Sequence, residues 1–324
     1  MKRLLIAPAL LAAMTACTTV FTATPPAGLQ DARASRRLVQ PPRPSWIVAG
    51  VRHTTKSLLY VADTYDNEVT IYMQRGRDQQ PVGEITTDLT FPTGLWVDAH
   101  RNLWVANSYS ELESNILRFP QGATQPDRTI PDANWNVDGV WVARDGSIYA
   151  INSGYYGNFE IVKYPPHKTV SQVVGDPNLT NDITAIAGDV HGNLFASGLT
   201  PSGGGEVDEL ASGSTKWQNT RIPLAEPGGL AFDRSGNLVV SDIGRDVIDV
   251  YPPNRRKPSE TISCSAQCWA VALNHRSTRL WVDEVNDLNG TIDEFSYKQG
   301  AFIQTLAQPQ DSYPQSVATT PDLY

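Results

Sequence analysis

The segment Phe91–Ser108, FPTGLWVDAHRNLWVANS, returns as EPGGLAFDRSGNLVVSD at Glu226–Asp242, and both belong to a longer series. Aligned on the apolar residue that opens the second hydrophobic run, Leu59, Leu103, Ile148, Leu194, Leu238 and Leu280 follow one another at intervals of 44, 45, 46, 44 and 42 residues. A period this steady means repeated structural units, each of which buries its faces against its neighbours.

Every unit has the same interior. A run such as GLWVD or GLAFD is followed by a polar turn (AHRN, RSGN, DVHGN) and then by a second run such as LWVAN, IYAIN or LVVSD. A third run ends in an aromatic residue: Val69–Tyr72, Ile116–Phe119, Glu160–Tyr164, Val247–Tyr251 and Thr291–Phe295. A weaker fourth run closes the unit, as in VGEIT or FIQTL. Short β-rich runs separated by Gly, Asn, Asp and Pro turns predict four antiparallel strands. Apolar residues at consecutive positions of the second run fit a strand covered on both faces.

Four strands at a period near 45 predict an all-β propeller of NHL-like blades, six by this spacing, with seven as the alternative. The apolar content of 40 % suits a large core. Ring closure is ambiguous, because Pro44–Gly50 and Pro314–Tyr324 both carry the first-strand pattern; the C-terminal segment is expected to close the ring beside the N-terminal strands.

The N-terminus predicts export. Lys2 and Arg3 precede an apolar stretch from Leu4 to Ala13 that is too short to span a bilayer, followed by small residues. Residues 1–17 therefore suggest a signal peptide in which Met14–Cys17 resembles the lipobox of bacterial lipoproteins, with Cys17 as the acylated residue; cleavage near Thr22–Thr24 is the alternative. Residues 18–45 carry five prolines and no apolar periodicity, the pattern of a disordered tether before a propeller at 46–324. A periplasmic or cell-surface location follows, with the membrane reached only through the lipid. Cys264 and Cys268 in CSAQC are close enough for a disulfide, and no adjacent His, Asp or Glu completes a metal site. The formal net charge of −8 argues against a nucleic-acid partner.

The Pro/Asp-x-Gly start, the hAhD first strand, the Gly-Asn second-strand entry and the aromatic-Pro ends at Phe119-Pro120, Tyr164-Pro165 and Tyr251-Pro252 resemble NHL-repeat propellers and, more broadly, the gluconolactonase-like and virginiamycin B lyase-like superfamily over Trp46–Tyr324. In such propellers the second-to-third and blade-to-blade loops form the ligand rim. His53, His100, His191 and His275 fall in first-to-second turns and His167 in a third-to-fourth turn, all on the other rim. A lyase-like His–Glu pair therefore lacks its histidine.

The gluconolactonase resemblance implies a divalent cation held by oxygens before the Gly of successive first strands, which suits Ca²⁺ or a similar hard ion. Those positions read Thr93, Asp138, Thr184, Gly228 and Trp269, so only Asp138 matches; Glu226 and Asp182 are possible helpers. No cofactor is predicted, with Ca²⁺ kept as a possibility. Asp63, Asp242 and Asp283 end second strands, where repeat residues bind neighbouring backbone.

The remaining ligand-rim candidates are Tyr109, Trp135, Tyr155, Tyr156, Trp269 and Tyr313, aromatics beside Asn and Asp that suit a sugar or a peptide; Pro201–Glu206 is a flexible loop there. No nucleophile elbow, phosphate loop or His-Glu-x-x-His motif occurs. The sequence thus predicts an envelope lipoprotein acting as a binding or scaffolding module for a small molecule, glycan, peptide or envelope protein. The alternatives are a metal-dependent lactone or ester hydrolase around Asp138 and a virginiamycin B lyase-like enzyme.

Overall fold

The computed structural model describes residues 43–51, 56–108, 114–132, 136–154, 158–175, 177–179, 182–286, 289–308 and 312–321. They form six antiparallel sheets joined in a ring. From the axis outward, blade 2 is Pro92–Val97, Leu103–Asn107, Asn115–Phe119 and Arg128–Pro131; blade 3 is Asn136–Val142, Ile148–Ser153, Phe159–Tyr164 and Gln172–Val173. Blade 4 is Asp182–Gly188, Leu194–Leu199, Gly205–Leu210 and Trp217–Asn219; blade 5 is Pro227–Phe232, Leu238–Asp242, Val247–Tyr251 and Glu260–Ser263. Blade 6 is Gln267–Leu273, Arg279–Asn286, Asn289–Ser296 and Ala301–Thr305. The protein is a six-bladed all-β propeller.

Blade 1 resolves the closure. Pro314–Thr319 takes the innermost place beside Leu58–Asp63, followed by Glu68–Met73 and Gly83–Ile85, while Trp46–Ile47 is added as a fifth strand on the outer edge. The two segments that matched one slot in the sequence therefore sit at opposite edges of one sheet. The reason is size. Each innermost strand carries a small residue where it meets the next blade: Ser316, Gly94, Gly139, Ala185, Gly229 and Ala270. A Cβ on Gly94 would lie 2.7 Å from the Cα of Gly139, and one on Gly229 would lie 2.9 Å from the Cα of Ala270. In the competing segment Trp46 would fall at that place, where an indole cannot fit.

Second strands are buried on both faces because each serves two seams. Leu58, Tyr60 and Ala62 pack against Leu95, Val97 and Leu103 of blade 2. Leu59 and Val61 pack against Trp281 and Ile292 of blade 6. The polar turns are held locally: the carboxylates of Asp98, Asp189 and Asp233 each accept backbone N–H groups two and four residues on, and the side-chain amide of Asn102, Asn193 or Asn237. The spacing of Asp to Asn in the repeat is thus the spacing of a closed turn. Arg43, ahead of the first strand, donates to the buried carboxylate of Glu68 at 2.6 Å.

Candidate functional site at the axial mouth

Each innermost strand slips register once, leaving a bulged residue: Gln315, Thr93, Asp138, Thr184, Gly228 with Gly229, and Trp269 with Ala270. These positions ring the axis near the rim formed by the blade-to-blade loops. Their side chains differ in what they offer. Thr93 Oγ1 donates to the carbonyl of Val137 at 2.7 Å. Thr184 Oγ1 faces Ser197 Oγ at 3.1 Å and the carbonyl of Ser197 at 3.2 Å. Both hydroxyls are thus occupied by neighbouring strands, Gly228 has no side chain, and Asp138 is the one carboxylate of the ring.

Two further carboxylates join Asp138. Asp182 opens the innermost strand of blade 4, and Glu226 precedes that of blade 5. Burial pushes the Asp182 carboxyl up to about 7, helped by the charges of Asp138 and Glu226. Asp138 is partly buried between strands, so loss of hydration raises its carboxyl, and the Ser153 hydroxyl only partly offsets this. Burial also raises Glu226, with Asp242 adding to the effect. No cationic side chain among the described residues figures among the charges acting on these three. The mouth over blades 3 to 5 therefore gathers like charges, Arg245 in the second-to-third loop of blade 5 being paired with Asp242 and Asp249 instead, with Asp182 able to exchange a proton near neutrality.

The opposite side of the mouth is aromatic. Tyr65, in the second-to-third loop of blade 1, meets Phe91 edge-on with ring centroids 6.0 Å apart and Tyr313 with centroids 5.0 Å apart. Phe91 has a left-handed backbone, φ 62°, held because its N–H donates to Asn67 Oδ1 at 2.7 Å and its carbonyl accepts from Ser108 at 3.1 Å. Trp269 follows the Cys264–Cys268 disulfide, whose Cα atoms lie 6.2 Å apart. The short ring closed by that bond wraps the Glu284 carboxylate, which accepts Ser265 N–H at 2.8 Å, Ser265 Oγ at 2.5 Å and Ala266 N–H at 3.1 Å. Trp269 is half-buried, and its indole N–H is buried without a partner among the described residues.

Of the residues singled out from sequence, Asp138, Asp182, Glu226, Trp269 and Tyr313 are described and lie on this rim. Tyr109, Trp135, Tyr155, Tyr156, His53 and Cys17 lie outside the described residues. His100, His191 and His275 fall in first-to-second turns and His167 in a third-to-fourth turn, on the other rim. Of the gluconolactonase-type positions only Asp138 is a carboxylate, and no three His, Cys, Asp or Glu side chains among the described residues gather as a metal site. Tyr65 and Phe91 escaped the sequence reading, although both sit in loops that the strand order assigns to the ligand rim.

One carboxylate differs from its expected role. Asp63 accepts the N–H of Tyr313 at 2.6 Å, and Asp242 accepts those of Ala225 and Glu226 at 3.0 and 3.1 Å, so both tie down the loop entering their own innermost strand. In blade 6 the residue doing this is Glu284. Asp283 stands one position earlier, on the other face of the strand, where blades 4 and 5 carry Ser197 and Ser241.

No protein-family model and no curated protein matches this sequence. Among solved structures the chain is similar to a chain of a nidogen–laminin complex, at 17 % identity and a TM-score of 0.68 over 82 % of this chain and 99 % of that one. It is also similar to a protein of unknown function from Bacteroides caccae, at 12 % identity and a TM-score of 0.58 over 82 % and 99 %. A luciferin-regenerating enzyme matches at 13 % identity and a TM-score of 0.57 over 79 % and 95 %. These likenesses concern the propeller fold alone, which hosts both binding proteins and enzymes.

Proposed function

We propose that this protein is an exported, NHL-like propeller of the cell envelope, anchored through Cys17 and a Pro-rich tether, whose axial mouth binds a positively charged ligand. The observation that carries the reading is the buried Asp182 carboxyl, raised further by the charges of Asp138 and Glu226, with no ion pair to any of the three among the described residues. Tyr65, Phe91 and Tyr313 across the mouth, with Trp269 between, suit the apolar part of an amine or the side chains of a basic peptide.

The test is calorimetric titration of the purified chain with a panel of cationic, neutral and anionic small molecules and peptides, repeated for Asp138→Asn and Asp182→Asn. Cationic members should bind, more weakly at high salt, and both variants should lose affinity. Equal binding of neutral members, or indifference to both substitutions, refutes the reading.

A second reading draws on the near-neutral Asp182 beside Asp138, a pair able to pass a proton in lactone or ester hydrolysis. Turnover of a lactone and ester panel that Asp182→Asn abolishes would favour it. The lyase-like alternative gains no support from the described histidines.

A further inference from the structure

The seam that closes the ring, between blades 6 and 1, holds an anomaly that the mouth does not use. Asp283 is fully buried, and neither of its carboxylate oxygens has a hydrogen-bond partner among the described residues. A carboxylate in that state is costly, because its hydration has been removed and nothing replaces it.

The repeat explains what the position is for. At the same place in blade 4, Ser197 Oγ donates to the carbonyl of Gly228, the bulged residue of blade 5, at 2.8 Å. At the same place in blade 5, Ser241 Oγ approaches the carbonyl of Trp269, the bulged residue of blade 6, at 3.2 Å. Continued by one blade, the series points Asp283 at the bulge of blade 1, where the equivalent carbonyl belongs to Gln315. Blades 1 to 3 carry Ala62, Ala106 and Ile151 at this position, and where blades 4 and 5 carry a polar side chain it is a donor. An ionised aspartate only accepts, whereas a protonated one supplies an O–H just as serine does.

The charges around it act in the same direction. Asp283 shares the blade 1 side of its strand with Trp281, which packs on Leu59, Val61 and Val317, so it faces the strand that ends in Asp63. Asp63 spends its oxygens on the N–H groups of Tyr65, Asp66 and Tyr313 and the hydroxyl of Ser312. Glu284 adds a second acid from the same strand, Tyr72 of the third strand of blade 1 donates its hydroxyl to the carbonyl of Ala307, and the innermost strand of blade 1 brings no titratable group. No base among the described residues offsets these acids at Asp283.

We infer that Asp283 is a neutral carboxylic acid that closes the propeller by donating its proton to the bulge carbonyl of blade 1, in the place serine hydroxyls fill in blades 4 and 5. Burial first, then Asp63 and Glu284, raises this carboxyl well above its ordinary value, in agreement with the geometry. The folded protein thus holds a proton that the unfolded chain releases above its ordinary carboxylate range. The closure is complete at low pH and weakens as pH rises, making the ring a pH-sensitive clasp.

The test uses the full chain, with Asp283→Ser, which keeps a donor and removes the titration, and Asp283→Ala, which removes both. Over the range from about pH 5 to about pH 9, the unfolding constant from urea denaturation should rise with pH more steeply for wild type than for Asp283→Ser, by up to tenfold per pH unit, one proton's worth. Asp283→Ser should therefore overtake wild type in alkali, and Asp283→Ala should remain below Asp283→Ser at every pH. Equal slopes for wild type and Asp283→Ser overturn the inference. Should both variants fail to fold, ¹³C-carboxyl spectra of aspartate-labelled wild type decide. One aspartate still protonated once Asp182 has ionised supports the clasp, and ionisation of every aspartate together with or before Asp182 overturns it.

Discussion

Gly94→Ala tests how the ring is packed. The added Cβ would lie 2.7 Å from the Cα of Gly139 and 2.9 Å from the carbonyl oxygen of Asp138, both backbone atoms that cannot rotate away. Ordinary contact begins at 3.4 Å, so the seam between blades 2 and 3 must open by about 0.7 Å. In a closed ring of close-packed sheets that opening is passed to the other seams, and the cost should reach the upper part of the range for overpacked cores, about 1–3 kcal/mol. Urea denaturation followed by tryptophan fluorescence should show a midpoint lower by about 1 M, given a slope of about 1–3 kcal/mol per M. Gly50→Ala is the control, since a Cβ there meets nothing within 4 Å, and it should fall within about 0.5 kcal/mol of wild type. A Gly94→Ala protein as stable as that control would refute the close approach of innermost strands on which the bulge ring depends.

Three other outcomes are expected. Trp281→Ala empties the centre of the closing seam, where the indole is fully buried, and should cost about 3–5 kcal/mol, read as a lower thermal midpoint. Asp98→Ala removes the acceptor of the His100 and Asn102 N–H groups and of the Trp104 indole N–H, and should cost about 2–3 kcal/mol by the same assay. Reducing the Cys264–Cys268 bond opens a very short loop, so the loss should be about 2 kcal/mol, with affinity at the mouth falling further through Trp269.

The blade could be read from sequence because its signals are local. The period, the Asp-to-Asn turn and the twice-buried second strand each lie within one unit, and turns such as Asp98 to Asn102 show why the pattern recurs. The C-terminal segment closes the ring as expected, although strand pattern alone does not say why. Pro44–Gly50 and Pro314–Tyr324 match as strands, and the difference between Trp46 and Ser316 matters only once the next blade's backbone is known to pass close by. The site was half readable. Asp138 stands at a defined repeat position, with Asp182 and Glu226 as possible helpers of a cation site, but the charge that Asp138 and Glu226 exert on Asp182 is a product of three blades meeting. The sequence reading assigns the loop-binding role to Asp283, whereas the strand pairing gives it to the neighbouring acid of WVDEV, Glu284, which turns toward the loop.

The acidic mouth is tested most directly by following the Asp182 carboxyl by NMR as pH is raised, with and without cationic amines and in Asp138→Asn. A group raised by burial and by like charges holds its proton in the folded state, so stability linked to it falls as pH rises from about 4, the ordinary carboxylate value, toward about 7. The account predicts a midpoint near 7 in wild type, a lower one in Asp138→Asn, and a lower one again when a cation occupies the mouth. A midpoint in the ordinary carboxylate range, unmoved by the substitution and by every cation, would contradict it.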